Sequence, residues 1–353
     1  MEVASGIHNV QYIIPNTHYI PIFAIMNRLL IIIIILFANL QIQAQFIRAD
    51  YKKAGIMYHR PVIVPMLDLS LAENECDLAQ MHWYNNNIKA LMKEHWRLND
   101  SIITMDEKRL TSIIGSKSPE YAIFLAIPSR EGQQSSSDIF WYRSFTFMLF
   151  LSEDGMRMDP DMVDRASPLI PNTDNSGQLL RGRYIFKLSM ANFHLSVNDL
   201  VFVISQFNNK VEESLEKRYS KKGLYGEKVA EVLTSTLKSK TLLIPDNLYA
   251  EGIDETRIAN VYKHPFRICT QEEITSLINE RKENTAYIHY FWSDQERMFL
   301  GGIVDAQSGD VLAMLKPRSV RLEHSDCLMP GSSYRSLIRI KPDQLKKLSR
   351  NIK

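Results

Sequence analysis

Two short apolar runs, each bounded by proline, stand out in the alternation of hydrophobic and polar residues. They are Pro61–Pro65 and Thr241–Pro245. Uninterrupted apolar runs of this length next to proline are typical of short buried strands. A helix is predicted after each, long over 73–95 and short over 254–262. In the long helix, five residues recur at helical spacing and predict its buried face: Met81, Tyr84, Ile88, Leu91 and His95. Asp254 is the predicted N-cap of the short helix, because its side chain can accept from free backbone N–H groups.

The order of predicted elements then repeats. One ungapped shift places Leu110–Ile114 on Ile274–Ile278, and the same shift places Ala122 on Ala286 at the start of the next strand. Thr270 and Glu273 form a capping-box pattern before the second helix. Asp106 occupies the corresponding place before the first helix. The sequence therefore predicts a tandem duplication.

Each copy is predicted to continue with a hairpin-like pair of strands. The first pair includes Phe145–Leu151, with a turn over 152–155. The second comprises Met298–Val304 and Val311–Leu315 around a turn at 305–310. Gly155 and Gly309 supply the positive φ that such turns need. Each copy closes with a strand and a helix, at 183–188 with 197–218, and at 337–340 with a helix starting at Pro342.

These elements predict an α/β (mixed α+β) fold in which helices pack on mixed sheets. The first unit spans 45–220, including a linking helix, and the second spans 221–353. The two units create either a cleft or one continuous sheet. The linking helix over 197–218 has a strong apolar stripe, with Ser196 as its cap, and the stripe is either core or a partner surface. The stripe consists of Val197, Leu200, Val201, Ile204, Phe207, Val211 and Leu215.

An export signal is predicted at the N-terminus. Asn27 and Arg28 follow Met26, an apolar run covers Leu29–Ala38, and a polar segment ends near Ala44. This layout matches a signal peptide cleaved after Ala44, with Met26 as the true start. The alternative is a retained membrane anchor over about 19–40, which would need roughly 20 apolar residues.

Charge is nearly balanced along the 353 residues, with 42 Lys and Arg against 40 Asp and Glu. This balance argues against nucleic acid as a partner. The strongest local run of cations lies near the C-terminus and is interpreted as a solvated helix face. It consists of Lys341, Lys346, Lys347, Arg350 and Lys353.

Three cysteines are present: Cys76, Cys269 and Cys327. An odd number leaves at least one thiol unpaired within the chain. A bridge between Cys269 and Cys327 is one arrangement that the sequence allows. Alternatively, Cys269 is a small buried residue, because the shift that aligns the two copies places it on an apolar residue.

The common motifs for nucleotide, hydrolase and zinc sites are absent from the sequence, and no cofactor or metal is expected. The only catalytic candidates are His324, Asp326 and Cys327, which lie close together in a predicted loop. Aromatic residues near strand ends form the candidate binding site, because exposed aromatics anchor partners. They are Trp141, Tyr142, Tyr290 and Trp292.

The leading hypothesis is an exported, non-enzymatic protein that binds an envelope protein or a small molecule in the periplasm or outside the cell. Membrane contact is expected only if the N-terminal segment is retained. One alternative is an exported hydrolase with an unfamiliar site. Another is a structural component of an envelope assembly.

Overall fold

The structure is a computed structural model in which the chain divides into two compact units, Met1–Gln43 and Ala44–Lys353. All described residues lie in the second unit, so the predicted signal segment falls outside them. The described ranges are 48–49, 51–72, 75–116, 118–134, 139–154, 186–190, 195–215, 233–246, 254–293, 298–315, 321–323, 335–337 and 340–352.

The described unit is a mixed α/β structure. Its strands are β1 Arg48–Ala49, β2 Val62–Met66, β3 Ile102–Asp106, β4 Ala122–Gln134, β5 Ile139–Leu151, β6 Phe186–Met190, β7 Thr241–Pro245, β8 Phe266–Cys269, β9 Thr285–Ser293, β10 Met298–Asp305, β11 Val311–Leu315, β12 Arg321–Glu323 and β13 Arg335–Leu337. Its helices are α1 Tyr51–Met57, α2 Glu75–His95, α3 Glu107–Ser116, α4 Val197–Leu215, α5 Glu255–Val261, α6 Gln271–Asn279 and α7 Pro342–Asn351.

Eleven of the strands form one mixed sheet. In the first half, β2 runs parallel to β3 and β4, and β5 is antiparallel to both β4 and β6. In the second half, β7 runs parallel to β8 and β9, and β10 is antiparallel to both β9 and β11. The five-strand orders are therefore β3-β2-β4-β5-β6 and β8-β7-β9-β10-β11.

The two halves join in one continuous sheet through β6 and β9, and this settles the choice between a cleft and a sheet. Ser189 pairs with Trp292 and Met190 pairs with Phe291 in antiparallel register. The other end of the same edge of β9 pairs with β7, from Thr241 opposite Thr285 onward. Two strands from different parts of the chain thus share one edge of β9.

Side chains of β5 alternate between two hydrophobic clusters because successive residues of a strand point to opposite faces. Phe145, Phe147 and Leu149 belong to the large cluster that also contains buried residues of α1, α2 and α4. Met148 and Phe150 belong to the cluster that α3 completes on the other face. A third cluster lies in the second half and includes residues of α5 and α7.

Helix α4 lies inside this arrangement. Residues of its stripe from Leu200 to Val211 are at most 4% exposed, so this part of the stripe is core. Leu215, at the end of the helix, is 42% exposed. The partner-surface interpretation of the stripe is therefore wrong for all but its last turn.

Local expectations for the helix starts are confirmed. The Asp254 carboxylate accepts from the backbone N–H of Arg257 at 2.7 Å, as an N-cap does. Thr270 and Glu273 form the capping box at the start of α6. The first hairpin differs from expectation, because β5 begins at Ile139, pairs back onto β4, and is followed by a short 3-10 turn over Ser152–Asp154.

Candidate functional site

Of the catalytic and binding residues singled out from the sequence, only Tyr290 is described together with its side chain. His324, Asp326 and Cys327 lie outside the described residues, so their suggested catalytic role stays a prediction. Tyr290 lies on β9 and is only 5% exposed, with its ring against the backbone of Gly301. The exposure that partner binding requires is therefore missing at Tyr290.

The remaining aromatic candidates lie at defined backbone positions. Trp141 is opposite Gly132, and Tyr142 is opposite Glu131, in the β4–β5 hairpin. Trp292 lies on β9 at the junction, where it pairs with both β6 and β10. The side chains of these three residues are outside the described part of the structure.

The β4–β5 hairpin extends well beyond the few residues through which it pairs with the rest of the sheet. Strand β4 pairs with β2 only at Ala122 and Ile123. Strand β5 pairs with β6 only over 146–149. From Ser129 opposite Ser144 outward, the two strands pair only with each other among the described strands. We call this part, 129–134 with 139–144, the distal hairpin.

A second group of residues, which the sequence did not reveal as a site, surrounds the start of α4. Ser196 and Asp199 form a capping box there. The Ser196 Oγ accepts from the Asp199 backbone N–H at 3.2 Å. The Asp199 Oδ2 accepts from the Ser196 backbone N–H at 2.7 Å and from its hydroxyl at 2.6 Å. The Oδ2 atom of Asp199 is therefore engaged in the helix cap.

The other carboxylate oxygen of Asp199 faces His289 on β9. The two side chains are about 7% exposed, and 3.5 Å separates Oδ1 from Nε2. That Nε2 makes no hydrogen bond within the described residues. The imidazole packs on the ring of Phe202, with 4.4 Å between ring centroids. This contact joins the helix of the first half to a strand of the second.

Burial controls the charge of both groups. It raises the pKa of the Asp199 carboxyl to about 6, although hydrogen bonds from Ser196 offset part of the rise. It lowers the pKa of the His289 imidazole to about 3. At neutral pH the imidazole is uncharged, so the contact is not a salt bridge despite its short distance.

Tyr287 is a further titratable group beside this pair, and Asp305 acts on it from elsewhere. Burial, together with the charges of Asp199 and Asp305, raises the pKa of the Tyr287 phenol. The ring centroids of Tyr287 and His289 are 6.2 Å apart. Asp305 has its own partner, because the Lys240 Nζ lies 2.7 Å from its Oδ2. Unlike Asp305, the Asp199–His289 pair has no Lys or Arg partner within the described residues.

The middle of α4 holds the turn between β10 and β11. The side-chain amide of Gln206 donates to the carbonyl oxygen of Gly309 at 2.5 Å. The amide of Asn209 donates to the carbonyl of Ser308 at 3.2 Å and to the Asp310 carboxylate at 2.9 Å. Gly309 has φ of +77° and sits directly against the helix. The turn is fixed to α4 by polar side chains as well as by close packing.

The opposite side of α4 binds the end of α2. The Asn208 amide donates to the His95 carbonyl at 2.7 Å and accepts from the Arg97 backbone N–H at 3.3 Å. Lys210 is fully buried, and its ammonium donates to both oxygens of Glu213 at 2.9 Å. Burial lowers the pKa of Lys210, and the Glu213 carboxylate opposes that change. These contacts position the helix and leave no open cleft at its ammonium group.

The cysteines correct one expectation and confirm another. Cys269 is a free, buried thiol, so the suggested Cys269–Cys327 bridge is wrong. The Arg267 Nε donates to its sulfur at 3.0 Å. Its burial confirms the alternative expectation, that Cys269 is a small buried residue. Cys76, in contrast, is disulfide-bonded.

Comparison with protein-family models, curated proteins and solved structures finds no match. Within the described ranges, no group of three or more His, Cys, Asp or Glu side chains converges to hold a metal ion. The helices in the same ranges include none with the length and hydrophobicity needed to cross a bilayer. Function therefore has to be argued from the distal hairpin, the pair at Asp199 and His289, and the surface charge.

Proposed function

We propose that the protein is exported and acts in the envelope or outside the cell as a non-enzymatic binding protein, with the distal hairpin as its binding element. The observation that supports this proposal is the length of the hairpin beyond its last contact with the sheet. Among the described strands, neither outer edge of 129–134 and 139–144 has a pairing partner. Such edges carry free N–H and C=O groups that another chain can use.

Trp141 and Tyr142 add specificity to this proposed element. Both lie in the distal hairpin, in register with Gly132 and Glu131. Large aromatic residues contribute much of the binding energy at protein interfaces, often about 2 kcal/mol or more for one anchor. A partner protein that pairs along the hairpin edge and contacts these aromatics fits the geometry best.

Replacing Trp141 and Tyr142 by alanine together is expected to abolish partner capture while leaving the fold intact, because the distal hairpin lies beyond the sheet contacts. The measurement is crosslinking in the native envelope followed by mass spectrometry. The control is Tyr58→Ala, which removes an aromatic side chain that is 41% exposed elsewhere on the surface. Capture of the same protein by wild type and by all variants would refute the proposed site.

Export is supported by two observations. The N-terminal pattern is that of a signal peptide. Cys76 is disulfide-bonded, and disulfides persist mainly in oxidising compartments outside the cytoplasm.

Export can be tested by intact mass measurement of the protein purified from the envelope or the culture medium. The expected chain starts at Gln45. After unfolding without a reductant, alkylation should label one thiol, Cys269, whereas all three cysteines of the sequence should react after reduction. A chain that retains residues before Gln45, or one that labels fully without reduction, would contradict cleavage or the oxidising compartment, respectively.

We also propose that the two halves descend from one duplicated unit, and strand register supports this. Val62 is opposite Ile102 and Ala122, while Leu242 is opposite Phe266 and Ala286. The single shift that aligns Ala122 with Ala286 also aligns Ile102 with Phe266. Backbone bonds beside the strands agree, since Val62 donates to Ser101 and Leu242 donates to Pro265, at the matching position.

A further inference from the structure

Charge is segregated in the second half of the chain. The segments 256–271 and 344–353 contain no Asp or Glu, although acidic and basic residues are nearly equal in number over the whole chain. The first segment carries Arg257, Lys263 and Arg267, and the second carries Lys346, Lys347, Arg350 and Lys353. Cations without intervening anions produce a positive field when the segments meet in space.

The fold brings these segments together. The backbone N–H of Lys263, just after α5, donates to the Ser349 hydroxyl at 3.0 Å. The Nε2 of His264 lies 3.3 Å from the Ser349 carbonyl oxygen. Acidic residues of the two helices, Glu255 and Asp343, sit in their first turns, away from this contact. The cationic ends of α5 and α7 therefore meet at Ser349.

Helix α7 directs its cations outward. Leu345, Leu348 and Ile352 are at most 6% exposed and belong to the core. Lys346, Lys347 and Arg350 are exposed. We define the α7 basic surface as Lys263, Lys346, Lys347 and Arg350.

The part of the chain that the structure describes places no carboxylate in an ion pair with the α7 basic surface. Within the described ranges, none of its four members forms an ion pair. Arg267 is left out because its guanidinium donates to the Cys269 sulfur and also lies near the Glu273 carboxylate. The Lys263 Nζ donates to the Ala259 carbonyl at 3.0 Å, which suits a cation at a helix C-terminus. No such role applies to Lys346 and Lys347, which lie in the middle of α7.

We propose that the α7 basic surface docks the protein onto a bilayer rich in anionic phospholipid. Charge complementarity carries the proposal, because exposed, unpaired cations match a plane of phosphate groups. Each Lys or Arg near such a surface strengthens binding by about fivefold. The apolar side of α7 is occupied by the core, so the contact is electrostatic, reversible and weakened by salt. It does not depend on the distal hairpin.

The test is sedimentation of the purified protein with vesicles rich in phosphatidylglycerol and with vesicles of phosphatidylcholine alone. Wild type should bind only the anionic vesicles. The triple substitution Lys346→Gln, Lys347→Gln and Arg350→Gln should weaken that binding on the order of a hundredfold. A matched variant, with Lys89, Lys93 and Lys282 replaced by glutamine, removes the same charge from exposed positions elsewhere and should bind like wild type.

Three results would overturn the proposal. Equal losses in the two triple variants would show that net charge acts without a defined surface. Equal binding to both kinds of vesicle would point to an N-terminal anchor or another apolar contact. Binding of soluble polyphosphate at the α7 basic surface, without binding to anionic vesicles, would identify a free polyanion as the ligand. Loss of hairpin-dependent partner capture in the Trp141 and Tyr142 variant is a separate outcome and bears only on the proposed function.

Discussion

Replacing His289 by glutamine and replacing Asp199 by asparagine are expected to give opposite dependences of stability on pH. The folded-state pKa of Asp199, about 6, lies above its ordinary value of 3.8. An upward shift favours the fold at low pH, so the His289→Gln protein should lose stability as pH rises from about 4 to 6. The size of the shift corresponds to roughly 3 kcal/mol in the free energy of unfolding.

The Asp199→Asn protein keeps only His289. The folded-state pKa of this imidazole, about 3, lies below its ordinary value of 6.5. A downward shift favours the fold at high pH, so this variant should lose stability as pH falls from about 6.5 towards 3. The full shift corresponds to roughly 5 kcal/mol. Burial is the cause in both cases, so each shift should survive removal of the other residue.

In the wild-type protein the pH dependence of stability due to Asp199 and that due to His289 should cancel between about pH 4 and 6. The folded pair then holds one proton, on Asp199, while the unfolded chain also holds one, on His289. Urea unfolding at a series of pH values measures the slopes, with the Asp199→Asn, His289→Gln double variant as the reference for all other groups. Because slopes rather than absolute stabilities are compared, a general loss of packing cannot imitate the result. Identical slopes in all four proteins would disprove the assignment, as would an NMR titration in which His289 becomes protonated near pH 6.

The pair at Asp199 and His289 illustrates what the sequence could not reveal. Ser196 is recognisable from the sequence as a helix cap, and that local prediction holds. The facing residue lies on a strand in the other half of the chain, which β6 joins to the first half by pairing with β9 over two residues. A single histidine within the apolar run Tyr287–Phe291 was the only available signal. No local pattern distinguishes it from an ordinary core histidine.

Elements of the fold were easier to predict than their assembly. Proline-bounded apolar runs identified β2 and β7, and helical spacing identified the buried face of α2, all of whose five predicted residues are buried. These are short-range signals that each element carries alone. The sequence could not decide between a cleft and one sheet, because the pairing of two edge strands produces no recognisable pattern of residues. The predicted exposure of Tyr290 was wrong for a related reason, since its side chain belongs to the hydrophobic cluster that includes residues of α5 and α7.

Helix α4 is the element that both halves share. Its start contacts β9 through Asp199, and its middle binds the β10–β11 turn through Gln206 and Asn209. Asn208 binds the end of α2. A helix that satisfies partners on several sides has little freedom to shift without breaking buried hydrogen bonds, which are costly to leave unmade. Close packing at the turn should therefore be a sensitive test of the whole junction.

Gly309→Ala is expected to be among the most destabilising single substitutions in the chain. A Cβ at this position would lie 2.6 Å from the Ser205 Cβ, which the backbone of α4 holds in place. The backbone φ of +77° adds a second cost for any residue with a Cβ. Together the two effects are expected to lower the free energy of unfolding by roughly 2–5 kcal/mol, of which the left-handed backbone accounts for about 1–2 kcal/mol. Urea unfolding at neutral pH measures the loss.

A double-mutant cycle with Ser205→Gly separates the two costs. Removing the Ser205 side chain costs about 1 kcal/mol by itself, as glycine does inside a helix. It also removes the Cβ that would collide with the new alanine. In that background Gly309→Ala should therefore cost only the free energy of the left-handed backbone. The coupling energy between the two substitutions should then equal the cost of the steric clash. Gly55→Ala is the matched control, because Gly55 lies within α1 and its new Cβ would meet only a flexible Leu215 methyl at 3.3 Å. That variant should be neutral or slightly stabilised. An equal cost of Gly309→Ala in both backgrounds would mean that the turn does not press on Ser205 of α4.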